Sequence, residues 1–279
     1  MCQFESGQEH QIFIYMDYII IFKTIILGII EGLTEYLPVS STAHLILLGE
    51  QLNFNEVPNM IFETSIQFGA ILAVIIIYRK NIKNILLNFH KKSVEQNFTI
   101  NLIIAFMPAA ILGLLTHDFI KNHFFNSSVV AYALIFGGIV MIIIDKLNFK
   151  FATRDIFLVS RKQAIMIGMF QSIALIPGMS RSGSTIIGGL CAGLSRKSAA
   201  EFSFFLAIPT ILAASLYDVI INYKILNIAH INIIATGFIT SFLVAIFVVK
   251  FFIEIIRKYG LAPFGYYRII LGLLIIFYF

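Results

Sequence analysis

The sequence predicts an all-α polytopic membrane protein: an inverted-topology repeat with six transmembrane helices plus two re-entrant helical hairpins. Three observations predict it: apolar runs of spanning length, a polar, proline-broken motif that occurs twice, and basic residues confined to a few loops. The 279 residues are 59% apolar and 13% charged, whereas soluble domains carry about 25% charged residues. Helix-length apolar runs joined by short polar loops leave no stretch for a separate soluble domain. The formal charge of +5 does not point to nucleic acid, because Lys and Arg lie between apolar runs, where they orient a chain in the bilayer. Cys2 and Cys191 imply no disulfide framework.

Residues 1–15 have neither a basic n-region nor a small-residue cleavage site, so they are not a signal peptide. The long apolar run begins after Met16. The prediction is an N-terminal extension over 1–15, read as a mis-assigned start with Met16 as the true one, a poorly ordered tail being the alternative. A single integral membrane domain then covers 16–279, made of two repeats at about 16–145 and 146–279.

Asp17–Ile30 is apolar but too short to span before Glu31. Pro38 has no N–H and biases the residue before it, so the helix stops there and a turn follows. With the return through His44 to Gly49, this segment reads as the first re-entrant hairpin. Spans are expected over 60–78, 98–116 and 128–144. Arg79, Lys80, Lys83, Lys91 and Lys92 follow the first span with no acidic residue before Glu95, and Lys146, Lys150, Arg154, Arg161 and Lys162 outweigh Asp145 and Asp155 further on. Both loops are therefore cytoplasmic, and the weakly charged loop after Thr116 is outside. The second hairpin covers 164–194 around Pro177 and Gly178. Spans over 202–221, 232–250 and 264–279 complete the chain.

Residues 26–49 align without a gap with residues 166–189. Gly28 meets Gly168, Glu31 meets Gln171, Ser40 meets Ser180 and Gly49 meets Gly189. The offset persists where FETSIQFGAILA from Phe62 falls opposite FSFFLAIPTILA from Phe202, which marks an internal repeat. Each half contributes one hairpin that does not cross and three spans that do, and an odd number of crossings inverts the second half. The hairpins then enter from opposite faces and meet near the midplane in one polar chamber.

The polar groups of that chamber are concentrated in Glu31–His44, EGLTEYLPVSSTAH. An ionisable side chain at the bilayer centre costs roughly 2.5 to 3.5 kcal/mol on insertion scales, so such a run signals function. Glu31 and Glu35, four apart, share a helix face and suit a divalent cation, or the orientation of His44. Ser41 and His44 have the spacing at which an imidazole takes a hydroxyl proton, and Ser40 suits a helix cap. In PGMSRSGSTI, Gly178 and Gly183 permit close backbone approach. Ser180, Ser182, Ser184 and Thr185 supply hydroxyls, and Arg181 supplies a planar cation, the set of donors a phosphate needs. Glu63 and Gln67 either line the same chamber or bond between helices. His117 and His123 read as solvated surface.

At these residues the sequence resembles the undecaprenyl-diphosphatase family of bacterial membranes, also called undecaprenyl pyrophosphate phosphatases or bacitracin-resistance proteins. EGLTEYLPVSSTAHL, FETSIQFGAILAV, PGMSRSGSTI and EFSFFLAIPTILAASLYD carry the resemblance, which runs from about Met16 to the end. Ala43 departs from it, since the family commonly has glycine before the histidine. The resemblance implies hydrolysis of undecaprenyl diphosphate to undecaprenyl phosphate and inorganic phosphate at the outer face of the bacterial inner membrane. That reaction recycles the lipid carrier for peptidoglycan synthesis and confers bacitracin resistance. By motif position it assigns catalytic roles to Glu31, Glu35, Ser41, His44 and Arg181, and substrate binding to Ser40, Ser180, Arg181, Ser182 and Thr185. A divalent cation, Mg or Ca, falls to Glu31 and Glu35. The competing reading is a transporter or flippase of polyprenyl phosphate, because inverted repeats with broken helices also build secondary transporters. The expected partners are the polyprenyl diphosphate lipid and the bilayer, with homo-oligomerisation left open.

Overall fold

The computed structural model describes residues 2–55, 57–91, 93–147, 152–222 and 230–278, with the backbone alone before Tyr18. Among these residues the structure is helical, with an isolated bridge between Thr153 and Leu194 and a 3-10 turn over Ile156–Leu158. The helices are α1 (Cys2–Thr34), α2 (Ser41–Gln51), α3 (Asn59–Ile77), α4 (Arg79–Asn88), α5 (Val94–Phe124), α6 (Ser127–Lys146), α7 (Arg161–Ile173), α8 (Arg181–Cys191), α9 (Arg196–Asn222), α10 (Ile231–Tyr259) and α11 (Ala262–Tyr278). Both helix breaks fall where the prolines place them, between α1 and α2 and between α7 and α8.

Among the described residues four helices, α5, α6, α9 and α10, are long and apolar enough to cross a membrane, and α3 qualifies together with α4 as a bent pair. The sixth expected span, α11, is apolar but 17 residues long. Three boundaries differ from expectation. Helix α1 begins upstream of Asp17, at Cys2; the side chains of the predicted extension lie outside the described residues. The basic stretch after α3 is not a loop but helix α4, bent 76° from it. Helix α5 runs past Thr116 to Phe124, because His117–Phe124 contains neither Gly nor Pro and Asn126 already caps α6 through the Val129 amide at 2.9 Å. Large apolar side chains such as Leu115, Phe247 and Phe277 point outward at more than 70% exposure, a surface suited to lipid rather than water.

The repeat is visible in the packing. Helix α1 lies against α10, and its counterpart α7 lies against α5. Small residues allow both contacts: a Cβ on Gly28 would stand 2.8 Å from the Gly237 carbonyl oxygen, and one on Gly168 2.5 Å from that of Ala105. Helices α6 and α11 cross at Gly138 and Gly265, where each carbonyl fills the space of the other's missing Cβ. Close approach through small residues is how helices associate without a hydrophobic drive between them. These pairs enclose α2, α8 and the two breaks.

Candidate active site

Ser40 and Ser180 are the N-caps of α2 and α8. The Ser40 hydroxyl accepts from the Ala43 amide at 3.4 Å and that of Ser180 from the Gly183 amide at 3.1 Å. Both adopt positive φ, 71° and 67°, a region that costs a non-glycine residue roughly 1 to 3 kcal/mol. The turn directs the first turn of each helix, with its unpaired N–H groups and positive dipole end, toward one cavity. That cavity, of about 250 Å³, is lined by Glu35, Ser40, Ser41 and Gln67 on one side and by Gly178, Ser180 and Arg181 on the other.

Glu35 is its centre. One carboxylate oxygen accepts from Arg181 Nη2 at 2.8 Å, and the other accepts from the Ser41 hydroxyl at 2.7 Å. Arg181 Nη1 donates to the Ser203 carbonyl at 2.9 Å, the guanidinium lies 5.9 Å from the Tyr36 ring centroid, and Arg181 Nε is buried with no acceptor. The predicted hydroxyls Ser182 and Thr185 stand behind this front. Ser182 donates to the Leu37 carbonyl at 2.8 Å, tying one break to the other, and Thr185 Oγ1 lies 2.7 Å from Ser203 Oγ. Ser203 itself falls opposite Glu63 in the repeat, a position whose role on the second side was not read from the sequence.

His44 is placed differently from the sequence expectation. Its Nδ1 is 2.7 Å from the Ser40 carbonyl, which can only accept, and its Nε2 is 2.7 Å from the Tyr267 hydroxyl. In the neutral ring Nδ1 therefore carries the proton and Nε2 accepts from Tyr267. The expected Ser41–His44 hydrogen bond is not made. At the start of α2, Ser41 faces Glu35, whereas His44, one turn further, faces α11.

Beside Tyr267, the fully buried Arg268 holds the two breaks together. Its Nη1 donates to the Pro38 carbonyl at 3.2 Å and to that of Met179 at 3.0 Å. Its Nη2 donates to Gly178 at 2.8 Å and Ala133 at 3.0 Å, and its Nε to Leu134 at 3.3 Å. Pro38 and Gly178 are repeat-related positions, so one guanidinium reads the same carbonyl in both copies of the turn. Gly178 has φ of +94° and a Cβ there would lie 2.7 Å from the Val130 carbonyl, so glycine is required. Tyr267 and Arg268 lie in the span expected over 264–279 and were not read from the sequence as site residues. The available signal was one arginine in an otherwise uncharged run.

Glu31 is fully buried, no donor reaches either of its carboxylate oxygens, and its charged neighbours are Glu35, Glu63 and Arg181. Among the described residues no group of three or more His, Cys, Asp and Glu is arranged to hold a metal. Glu31 does not line the cavity with Glu35; the two neighbouring carboxylates are the hard oxygen ligands that would hold a divalent cation. Gln67 lines the cavity with Glu35, whereas Glu63 lines a second cavity of about 240 Å³ beside Leu27 and Phe62.

Broken helices that meet at a carboxylate held by an arginine and a serine, inside a bundle of long apolar helices, define a multi-pass membrane protein with an enzyme-like polar site. Residues 24–274 match the family described as bacitracin resistance protein BacA, and the chain belongs to that family. It is 48% identical over 257 residues to undecaprenyl-diphosphatase 3 of Acinetobacter baylyi, covering 92% of this chain and 97% of that protein. With the undecaprenyl-diphosphatase of Methylobacillus flagellatus it shares 45% identity over 269 residues, 95% of this chain and all of the relative. With that of Parvibaculum lavamentivorans it shares 44% over 255 residues, 91% and 95% of the two chains.

Proposed function

We propose that this protein hydrolyses undecaprenyl diphosphate to undecaprenyl phosphate and inorganic phosphate at the outer face of the bacterial inner membrane. Family membership and the names of the full-length relatives support the reaction. The observation that carries the site is Glu35 held between Arg181 and Ser41 on a cavity wall where two helix N-termini converge. In this reading residues 16–279 form one domain of two inverted repeats, with six spans and two re-entrant hairpins, preceded by an extension over 1–15.

The diphosphate enters the cavity and takes the unpaired Nε edge of Arg181 together with the amides at the starts of α2 and α8. Ser41 Oγ attacks the terminal phosphorus while its proton passes to Glu35, the group it already faces at 2.7 Å. The bond from that phosphorus to the bridging oxygen breaks and undecaprenyl phosphate leaves; water then releases phosphate from Ser41, restoring the hydroxyl. Arg181 steadies the transferring phosphoryl oxygens. His44, through the Ser40 carbonyl, stiffens the turn that presents Ser41. Glu31 and Glu35 would hold a divalent cation, Mg or Ca, which when bound neutralises phosphate charge.

Phosphate release from a polyprenyl diphosphate by the purified protein in detergent tests the proposal. No second compartment exists there, so hydrolysis continues and a pure transporter of polyprenyl phosphate would release none.

A further inference from the structure

Helix α4 contributes nothing to the site, and its geometry calls for a separate explanation. The 19 residues of α3 extend about 28 Å at 1.5 Å per residue, which matches the hydrocarbon core of a bilayer without α4. The chain then bends by 76° at Tyr78, which lays α4 across the axis of α3. No residue of α4 is buried. Ile82 and Ile85 lean on the protein, while Leu86 and Leu87 are 69% and 62% exposed. At 100° per residue, Ile82, Ile85 and Leu86 fall in one sector and Arg79, Lys83 and Lys80 in the sector beside it, with Leu87 among the cations. All three cations are exposed, and Arg79 Nη1 also donates to the Ile76 carbonyl at 3.1 Å. The nearest acidic residues in sequence are Glu63 and Glu95.

We infer that α4 is an interfacial helix that binds anionic phospholipid head groups on the cytoplasmic leaflet. An apolar sector with cations along its edge is the pattern of helices that lie in the plane of the head groups. The carboxylate at the bend, Glu201, is engaged by Tyr78 and Lys197, and an anionic leaflet complements three exposed cations on a helix that carries no acid of its own. The repeat sharpens the assignment. The matching stretch, residues 219–228, carries one basic residue, Lys224, in place of three, and an inverted second half would put that stretch at the opposite leaflet.

The chain contains no tryptophan, so Leu86→Trp gives a single fluorophore on α4. The full chain carrying it is reconstituted into vesicles containing either brominated phosphatidylglycerol or brominated phosphatidylcholine as quencher. The expected result is quenching by both, with brominated phosphatidylglycerol favoured by at least about fivefold, the effect of one cation near an anionic surface. Combining Arg79→Gln, Lys80→Gln and Lys83→Gln should bring the two lipids to parity with unchanged elution from size-exclusion chromatography. Equal quenching in the parent, quenching by aqueous iodide but by neither lipid, or a preference that survives the triple substitution would each overturn the assignment. None of these readouts depends on phosphate release.

Discussion

Ser40 and Ser180, 140 residues apart, take the same backbone conformation, with φ of 71° and 67°, and each caps the helix that follows it. The next residues, Ser41 and Arg181, therefore hold equivalent positions and meet on the two oxygens of Glu35. The repeated turn sets the geometry, and the residue after it sets the chemistry: a hydroxyl from one copy, a guanidinium from the other.

The caps make a stability prediction. Ser40→Ala or Ser180→Ala removes the cap but leaves a Cβ at positive φ, and should cost about 1 kcal/mol. Ser40→Gly and Ser180→Gly should cost less, because glycine adopts positive φ without steric penalty. Thermal melts followed by circular dichroism in detergent would rank the four variants. Glycine variants less stable than alanine variants would show that backbone strain plays no part.

Ser41 and Glu35 make a kinetic one. Ser41→Ala should reduce phosphate release by about 10³-fold or more if the hydroxyl is the nucleophile, while Ser40→Ala keeps most of it. Glu35→Gln removes the proton acceptor and a hard oxygen ligand, so turnover falls and the metal concentration for half-maximal rate shifts. Equal losses at Ser40 and Ser41 would point instead to attack by water.

The helix breaks and the members of the polar cluster were legible in the sequence because proline and ionisable groups in apolar runs are both local signals. Glu35, Ser41 and Arg181 could be named as site residues from them. Their pairing was not legible: spacing along α2 suggested Ser41 with His44, yet which way each side chain turns depends on α11, 223 residues away from His44 at Tyr267. Arg268 was hidden for a related reason. Its partners are backbone carbonyls, which leave no mark in the identity of the residues that supply them. Helix α4 is hidden in the sequence because three cations directly after a span signal a basic loop, although Ile82, Ile85 and Leu86 keep a helical period.

Topology can be read by labelling. With Cys2→Ser and Cys191→Ser as background, Asn122→Cys at the end of α5 should react with an impermeant maleimide in intact cells. Asn84→Cys on α4 should react only after permeabilisation. Labelling of both from one side would reject the inverted repeat, since three crossings and one hairpin per half require these positions to face opposite compartments.

The two arginines around the helix breaks should separate folding from catalysis. Arg268 is fully buried and donates to five carbonyls, none of them charged, from both helix breaks and α6. Lysine keeps the charge but has one nitrogen with three donors, so at least two carbonyls lose their partner, at about 1 to 3 kcal/mol for each buried group left unsatisfied. Arg268→Lys should therefore lower stability by about 2 kcal/mol or more, seen as a lower melting temperature and early elution from size-exclusion chromatography. Arg181 is 13% exposed at the cavity wall and pairs with Glu35. Arg181→Lys preserves that ion pair but not the planar fork that grips two phosphoryl oxygens. Its melting temperature should stay near that of the parent while turnover falls about 10²-fold or more, the usual cost of one lost transition-state donor. An Arg181→Lys variant with full turnover would reject two-point phosphate contact, and an Arg268→Lys variant that melts like the parent would show that the breaks are held by their own turns rather than by the guanidinium between them.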